Sequence, residues 1–165
     1  MKKKLTIPKI KDGTVIDHIR RGKGPLVLWI LNVDEISDIV SMAMNVPSKK
    51  LGKKDIVKIE NKELEPEEVN KISLITPEAT INYIENFEVV EKYQVELLDT
   101  YTGILKCPNE NCVTNIRYDL GYKEPIVSKF KLKRREPVLL QCAYCEKYIE
   151  EDEIPKYIFF KRKYF

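Results

Sequence analysis

Two closely spaced pairs of cysteines constrain this chain more than any other feature of its sequence. Cys107 and Cys112 are separated by four residues, and Cys142 and Cys145 by two. Such short spacings let both sulfur atoms of a pair face one ion, and four thiolates complete the tetrahedral shell that Zn²⁺ prefers. Because four cysteine ligands leave no position for water, the pattern predicts a structural zinc site and not a catalytic one.

Two other uses of these cysteines stay open on sequence grounds, namely free or disulfide-bonded thiols and a redox role for Cys142 and Cys145. The expected cellular compartment favours metal binding over disulfide bonds. The basic start of the chain is followed by an interrupted segment and not by the apolar core of an export signal. The longest apolar run, residues 25–33, is too short to cross a bilayer. We therefore expect a cytoplasmic protein, in which thiols stay reduced.

The distribution of cysteines predicts two domains, residues 1–98 without cysteine and residues 99–165 with all four. A domain of about 65 residues is near the size at which a metal commonly supplements the core. Its apolar segments are short and predict a small all-β domain. The strand candidates are residues 116–120, 126–132, 138–140 and 157–160.

The apolar pattern of residues 1–98 predicts an alternation of strands and helices. Strand-like segments at residues 4–10 and 13–19 precede an apolar helix at 24–33, and further strands are expected at 39–46 and 55–60. A second helix is expected to start near Glu65 and to stop at Pro77, before a last strand at 79–90. This βαββαβ order is that of a ferredoxin-like α/β sandwich, so the whole chain is predicted to be α+β.

The charge pattern gives weak support for nucleic-acid binding. The 29 basic and 26 acidic residues leave a net charge of +3, which provides little long-range attraction for a polyanion. Residues 129–135 alternate basic and apolar side chains, as expected of a half-buried strand with a solvated basic face. The same run could contact phosphates, so a zinc-ribbon nucleic-acid-binding protein is the alternative function. The basic, aromatic residues 157–165 fit either a closing strand or a partner contact.

His18 is the only histidine, which removes most schemes for nucleophilic catalysis. From the residues alone, Asp17 and His18 are better explained by a turn or core feature than by a ligand contact. The residues alone likewise indicate that Lys58 and Lys92 are ordinary solvated lysines on strand edges. Only cations gathered on one face of a sheet would neutralise a triphosphate.

Five segments together resemble the regulatory chain of aspartate carbamoyltransferase, and the resemblance covers nearly the whole chain. They are GTVIDHI at 13–19, GKKDIVKIEN at 52–61, ATINYIENFEVV at 79–90, CPNENC at 107–112 and CAYCEK at 142–147. The resemblance implies a non-catalytic subunit of pyrimidine biosynthesis with a ferredoxin-like domain that binds CTP or ATP as allosteric effectors. UTP is a further candidate ligand. It also implies a zinc domain that contacts the catalytic chain, and regulatory chains that associate into dimers.

The resemblance also assigns roles by position. It implies that Asp17 and Lys58 meet the ribose and nearby polar groups, and that His18 and Lys92 face the triphosphate. It places Ile10, Asn82, Phe87 and Val89 around the base. The residues implied to contact the catalytic chain are Asn109, Asn111, Tyr144 and Glu146.

Overall fold

The computed structural model describes residues 7–117, 121–123 and 125–159. They form two compact units, and the division falls between Glu96 and Leu97, just before the boundary expected from the cysteine distribution. No described helix is long and apolar enough to span a membrane.

The first unit is a five-stranded antiparallel sheet with two helices. Its elements are β1 Gly13–Arg20, α1 Gly24–Ile30, a 3₁₀ turn Val33–Glu35, β2 Val40–Ser48, β3 Gly52–Glu60, α2 Pro66–Ile75, β4 Thr80–Glu85 and β5 Glu88–Gln94. The strand order is β2-β3-β1-β4-β5. The first four strands have the ferredoxin-like order, which confirms that prediction, and β5 adds a strand at the β4 edge.

One face of this sheet carries the core. Ile16 on β1 pairs with Val57 on β3 and with Ile81 on β4, and all three side chains are fully buried. Helix α1 contacts both β3 and α2, so the two helices cover this face. Burial of each such side chain contributes about 1.5–3 kcal/mol. The residues that alternate with them lie on the opposite face, which we call the outer face.

Helix α2 follows the signals that predicted it. A capping box joins Glu65 and Glu68, in which the Glu65 N–H donates to Glu68 Oε1 at 2.9 Å, and Pro66 occupies the first turn. The helix ends at Ile75, just before Pro77.

The single strand predicted over residues 79–90 was wrong. The structure has two strands there, β4 and β5, joined by a turn at Asn86 and Phe87. Both turn residues have left-handed backbone angles, with φ of 51° and 69°. The apolar alternation continues through the turn, so the pattern did not reveal the reversal.

The strand predicted over residues 4–10 is also absent where the structure describes it. Residues 7–10 belong to no strand, and residues 4–6 lie outside the described part of the chain. Pro8 has no N–H to donate to a ladder. The carbonyls of Ile7 and Pro8 instead accept hydrogen bonds from Lys58 Nζ, at 3.3 and 3.1 Å.

The second unit is mainly β-structure. Its elements are β6 Thr100–Thr102, β7 Ile116–Arg117, β8 Tyr122–Lys123, β9 Lys129–Arg135, β10 Val138–Cys142, β11 Tyr148–Glu150, a 3₁₀ turn Glu151–Glu153 and α3 Ile154–Tyr157. Four strands form a sheet in the order β11-β10-β9-β6, and β7 pairs with β8. Phe130 is fully buried between exposed Lys129 and Lys131, which confirms the half-buried basic strand.

Two strand predictions in this unit need correction. The prediction for 126–132 started too early, because β9 begins at Lys129, and residues 118–120 of the 116–120 prediction lie outside the described residues. The strand predicted at 157–160 is absent over residues 157–159, the part of it that the structure describes. Pro155 lies in the first turn of α3, and after the helix only Ile158 forms an isolated bridge, to Leu105. Residues 160–165, which include the basic tail, lie outside the described part.

Candidate functional site

The second unit brings all four cysteines into one cluster. Their Sγ atoms lie within 4.8 Å of one another, with 3.4 Å between Cys107 and Cys145 and 3.8 Å between Cys112 and Cys142. Four sulfurs about 2.3 Å from one tetrahedral ion are about 3.8 Å apart, whereas a disulfide needs about 2.05 Å. The arrangement therefore fits a four-thiolate zinc site and not two disulfides.

Tight turns aim each pair at the centre of the cluster. The Cys112 N–H donates to the Asn109 carbonyl at 2.9 Å, which closes the loop of the first pair. In the second pair, the Glu146 N–H donates to the Cys142 carbonyl at 3.1 Å. Glu146 has φ of 67°, which lets the chain reverse directly after Cys145.

The surroundings of the thiols suit thiolates that share a cation. Burial raises the pKa of the Cys107 and Cys142 thiols because desolvation disfavours a negative sulfur. Burial acts in the same direction on Cys145, but hydrogen bonds led by the Lys147 N–H outweigh it and lower the Cys145 pKa to about 7. A bound Zn²⁺ would hold all four sulfurs as thiolates and contribute its binding free energy to folding.

Two polar residues that support this cluster were missed by the sequence analysis. Asn115 is 6% exposed, and its Nδ2 donates to the carbonyls of Cys107 and Asn109 at 2.9 and 2.8 Å. Thr114 is also buried, and its Oγ1 lies 3.2 Å from Cys112 Sγ. Their position two and three residues after Cys112 could have indicated this role, because polar groups that orient metal ligands are common there.

We expect Asn115→Ala to lower zinc affinity by about 10–100-fold, because two loop carbonyls lose their donor. A competition titration with a chromogenic zinc chelator measures this. Asn111→Ala is the matched control, since Asn111 is exposed and contacts Asn109 through its backbone N–H. Equal zinc affinity of the two variants would contradict the supporting role.

In the first unit, three of the predicted nucleotide-site residues form one row on the outer face. Val15 on β1 pairs with Lys58 on β3 and with Asn82 on β4, and Asn82 pairs with Lys92 on β5. Directly paired residues project to the same side of a sheet. Sequence neighbours could not show this row, because its members come from four strands.

Asp17 and His18 lie next to this row, in a β-bulge of β1. Asp17 Oδ1 accepts the His18 N–H at 2.6 Å and the Lys54 ammonium at 2.9 Å. Thr80 Oγ1 is 3.3 Å from His18 Nδ1. Both side chains thus have partners within the protein, as expected of a turn or core feature, and His18 also lines a cleft.

This cleft, of about 600 Å³, is lined by His18 and by the hairpin between β2 and β3. The hairpin contributes Lys49, Lys50 and Lys54. Burial lowers the pKa of His18, and Lys54, Lys50 and Lys92 lower it further against the opposing effect of Asp17. The cleft is therefore electropositive and suited to an anion. The sequence analysis did not include its three lysines, although the lysine-rich run at 49–54 was a visible signal.

Asn82 belongs to the row, and the other residues assigned to the base lie toward the β4–β5 turn and in the segment before β1. Ile10 is buried, whereas Phe87 and Val89 are 56% and 55% exposed. The Phe87 N–H donates to the Lys11 carbonyl at 2.8 Å, which ties the β4–β5 turn to the segment that carries Ile10.

Lys58 lies beneath the segment that precedes β1. Its ammonium donates to two carbonyls of that segment, and burial lowers its pKa, with Lys9 adding to the effect and Asp17 opposing it.

The four residues assigned to a partner contact lie on the two loops that carry the cysteine cluster. Asn109 and Asn111 belong to the loop of the first cysteine pair, and Tyr144 and Glu146 to that of the second. Tyr144 is 47% exposed, and Asn111 and Glu146 are also exposed.

Two family models match the chain, one on each unit. The model described as aspartate carbamoyltransferase regulatory chain, allosteric domain, matches residues 5–96. The model described as the metal binding domain of the same regulatory chain matches residues 99–155.

Curated relatives agree with both matches. The aspartate carbamoyltransferase regulatory chain of Pyrococcus horikoshii is 51% identical over 152 residues, which are 91% of this chain and 95% of the relative. That of Thermoplasma acidophilum is 48% identical over 155 residues, 93% of this chain and 99% of the relative. That of Korarchaeum cryptofilum is 51% identical over 155 residues, 93% of this chain and 96% of the relative.

These similarities extend over both units and do not favour the zinc-ribbon nucleic-acid-binding alternative. The relatives are regulatory and not catalytic chains, which confirms the non-enzymatic prediction. By these matches the chain belongs to the aspartate carbamoyltransferase regulatory chain family.

Proposed function

We propose that the first unit binds CTP or ATP on its outer face, and that the chain thereby regulates the catalytic chain of aspartate carbamoyltransferase in pyrimidine biosynthesis. The observation that carries this proposal is the electropositive cleft lined by His18 and Lys54, with Lys58 and Lys92 in the adjacent row on the same face of the sheet. The unit that holds them is the one matched by the allosteric-domain model.

The chemistry of each position supports a nucleoside triphosphate. Lysines and a histidine beside the cleft provide donors and positive charge for phosphate oxygens. The carboxylate of Asp17 can accept from ribose hydroxyls, with Lys58 nearby on the same face. A base would lie among Ile10, Asn82, Phe87 and Val89, a mainly apolar set with one amide that can read polar base edges.

We assign four side chains around the cysteine cluster, three of them exposed, to contact with the catalytic chain. Asn109, Asn111, Tyr144 and Glu146 lie on loops whose shape depends on the metal-binding turns. Regulatory chains are proposed to pair through the first unit. A nucleotide that prefers one quaternary state would then shift the balance between states by its differential affinity, and the sign of regulation follows from which state it prefers.

Calorimetric titration of the full chain with CTP, ATP and UTP tests the nucleotide site. We expect one site per chain for CTP and ATP, with UTP as the third ligand compared. The salt dependence should be modest, because counterion release from an extended polyanion is not involved. Absence of binding to all three triphosphates, in zinc-loaded protein, would overturn the proposal.

Activity of the complex with catalytic chains tests the regulatory step. CTP or ATP should change its dependence on substrate concentration only when the regulatory chain is present. An unchanged profile in a complex that binds the nucleotide would contradict coupling between the two sites.

A further inference from the structure

Asp55 on β3 is a carboxylate with 0% exposure. Its Oδ2 accepts the N–H groups of Gly22 and Gly24 at 2.9 and 3.0 Å, and its Oδ1 accepts the Asn45 N–H at 3.1 Å. A Cβ on Gly24 would lie 3.0 Å from Asp55 Oδ2 and 2.8 Å from Met42 Sδ, so a larger residue would require these side chains to move. A buried carboxylate is tolerated when several donors satisfy it, and here the donors come from both flanks of β3.

Both neighbours of β3 have a β-bulge beside Asp55. The register of β1 passes from Ile16 opposite Val57 to Ile19 opposite Asp55, which leaves one extra residue on β1. The register of β2 passes from Ala43 opposite Ile56 to Val46 opposite Lys54, with one extra residue on β2. Bulges change where side chains point, and they recur next to functional sites.

These two bulges carry opposite walls of the cleft. The β1 bulge contains His18, with φ of 53°, and the β2 bulge contains Asn45, with φ of 60°. Directly after the second bulge, Pro47, Ser48, Lys49 and Lys50 line the cleft. The Asp55 carboxylate binds the Asn45 backbone itself, and it binds the turn that follows β1 through Gly22 and Gly24.

From this arrangement we infer that Asp55 is a positioning residue for the polyphosphate half of the nucleotide site. It lies on the core side of β3, so it holds the cleft walls without touching the ligand. The inference rests on the proposed nucleotide function. The base half of the site, at Asn82, Phe87 and Val89, belongs to β4, β5 and their turn, which make none of the hydrogen bonds to Asp55. Loss of the carboxylate should therefore weaken the binding of the phosphates more than the binding of the base.

The test compares CTP with CMP on the full zinc-loaded chain. Asp55→Asn keeps the shape of the side chain but presents an amide to backbone donors. We expect its CTP affinity to fall about tenfold and its CMP affinity to stay within about twofold, by NMR or calorimetric titration. Asp38→Asn, which changes an exposed aspartate bonded to Asn61, is the matched control and should leave both affinities unchanged. An unchanged ratio of CTP to CMP affinity, or an equal loss of both, would overturn the inference.

A second pair of variants covers the case in which Asp55→Asn does not fold. Asn45 is exposed, and its Oδ1 accepts from Arg21 Nε at 2.8 Å. Asn45→Ala and Asn45→Gly both lose that bond, but only alanine strains the left-handed backbone of the bulge. We expect alanine to lower the CTP to CMP ratio about threefold relative to glycine, and equal ratios would overturn the inference. Failure of the unmodified chain to bind any triphosphate would instead refute the nucleotide function.

Discussion

Replacing Cys142 with serine is expected to abolish zinc retention, to unfold the second unit and to prevent association with the catalytic chain. The Cys142 sulfur is buried and lies 3.8 Å from that of Cys112, and the residue ends β10 opposite Phe130 at the centre of the small sheet. Four-cysteine zinc sites contribute about 10–16 kcal/mol of apparent binding free energy. A complete domain is stable by only about 5–15 kcal/mol. The metal is therefore expected to decide whether this unit folds.

Metal analysis and hydrogen exchange measure this effect separately in the two units. Amides of β9 and β10 should lose protection in Cys142→Ser, while those of β1 and β3 keep theirs. Ala143→Ser, in the same turn but not a ligand, should retain one zinc per chain. A Cys142→Ser protein that lacks metal and still assembles normally with catalytic chains would contradict the docking proposal.

The second large effect is expected from the cations of the nucleotide site. Lys92→Ala should weaken CTP and ATP binding by about tenfold or more without changing assembly, because a charge-assisted hydrogen bond is worth about 1.5–3 kcal/mol. Lys54 lies on β3, whereas Lys92 lies on β5, on the opposite side of β1. The Lys54 ammonium binds Asp17, and the residue lines the cleft. The double variant Lys54→Gln/Lys92→Ala should lose at least about 100-fold.

Lys53→Gln is the matched control for this experiment. Lys53 is exposed on the same strand, next to Lys54, and does not line the cleft. Calorimetric titration with CTP and ATP should give an affinity close to that of the unmodified chain. Loss of affinity in Lys53→Gln as large as in Lys92→Ala would indicate a general charge effect, and unchanged affinity in Lys92→Ala would remove that lysine from the site.

The sequence was sufficient for features whose signals are local. Cysteine spacing identified the metal site, since two ligands separated by two or four residues can reach one ion within a single short loop. The proline and acidic residues around Glu65 located helix α2 because capping acts within one turn. The order of β1 to β4 with helices α1 and α2 likewise followed from hydrophobic periodicity.

Local patterns failed where the chain changes direction without changing its apolar period. The turn at Asn86 and Phe87 was hidden inside an alternating segment and became visible only through the pairing of Asn82 with Lys92. Residues 7–10 were misjudged for a related reason. Their apolar character suited a strand, but the carbonyls of Ile7 and Pro8 are bonded to Lys58, which is distant in sequence.

The sequence by itself therefore determined the metal ligands, helices α1 and α2 and the class of fold, since ligand spacing, capping and periodicity act over a few residues. Only the tertiary structure decided that Lys49, Lys50 and Lys54 share a cleft with His18 and that Asp55 is bonded to both flanks of β3. Strand register and two bulges create these contacts. Both are set by packing across the sheet, which no short segment of sequence encodes.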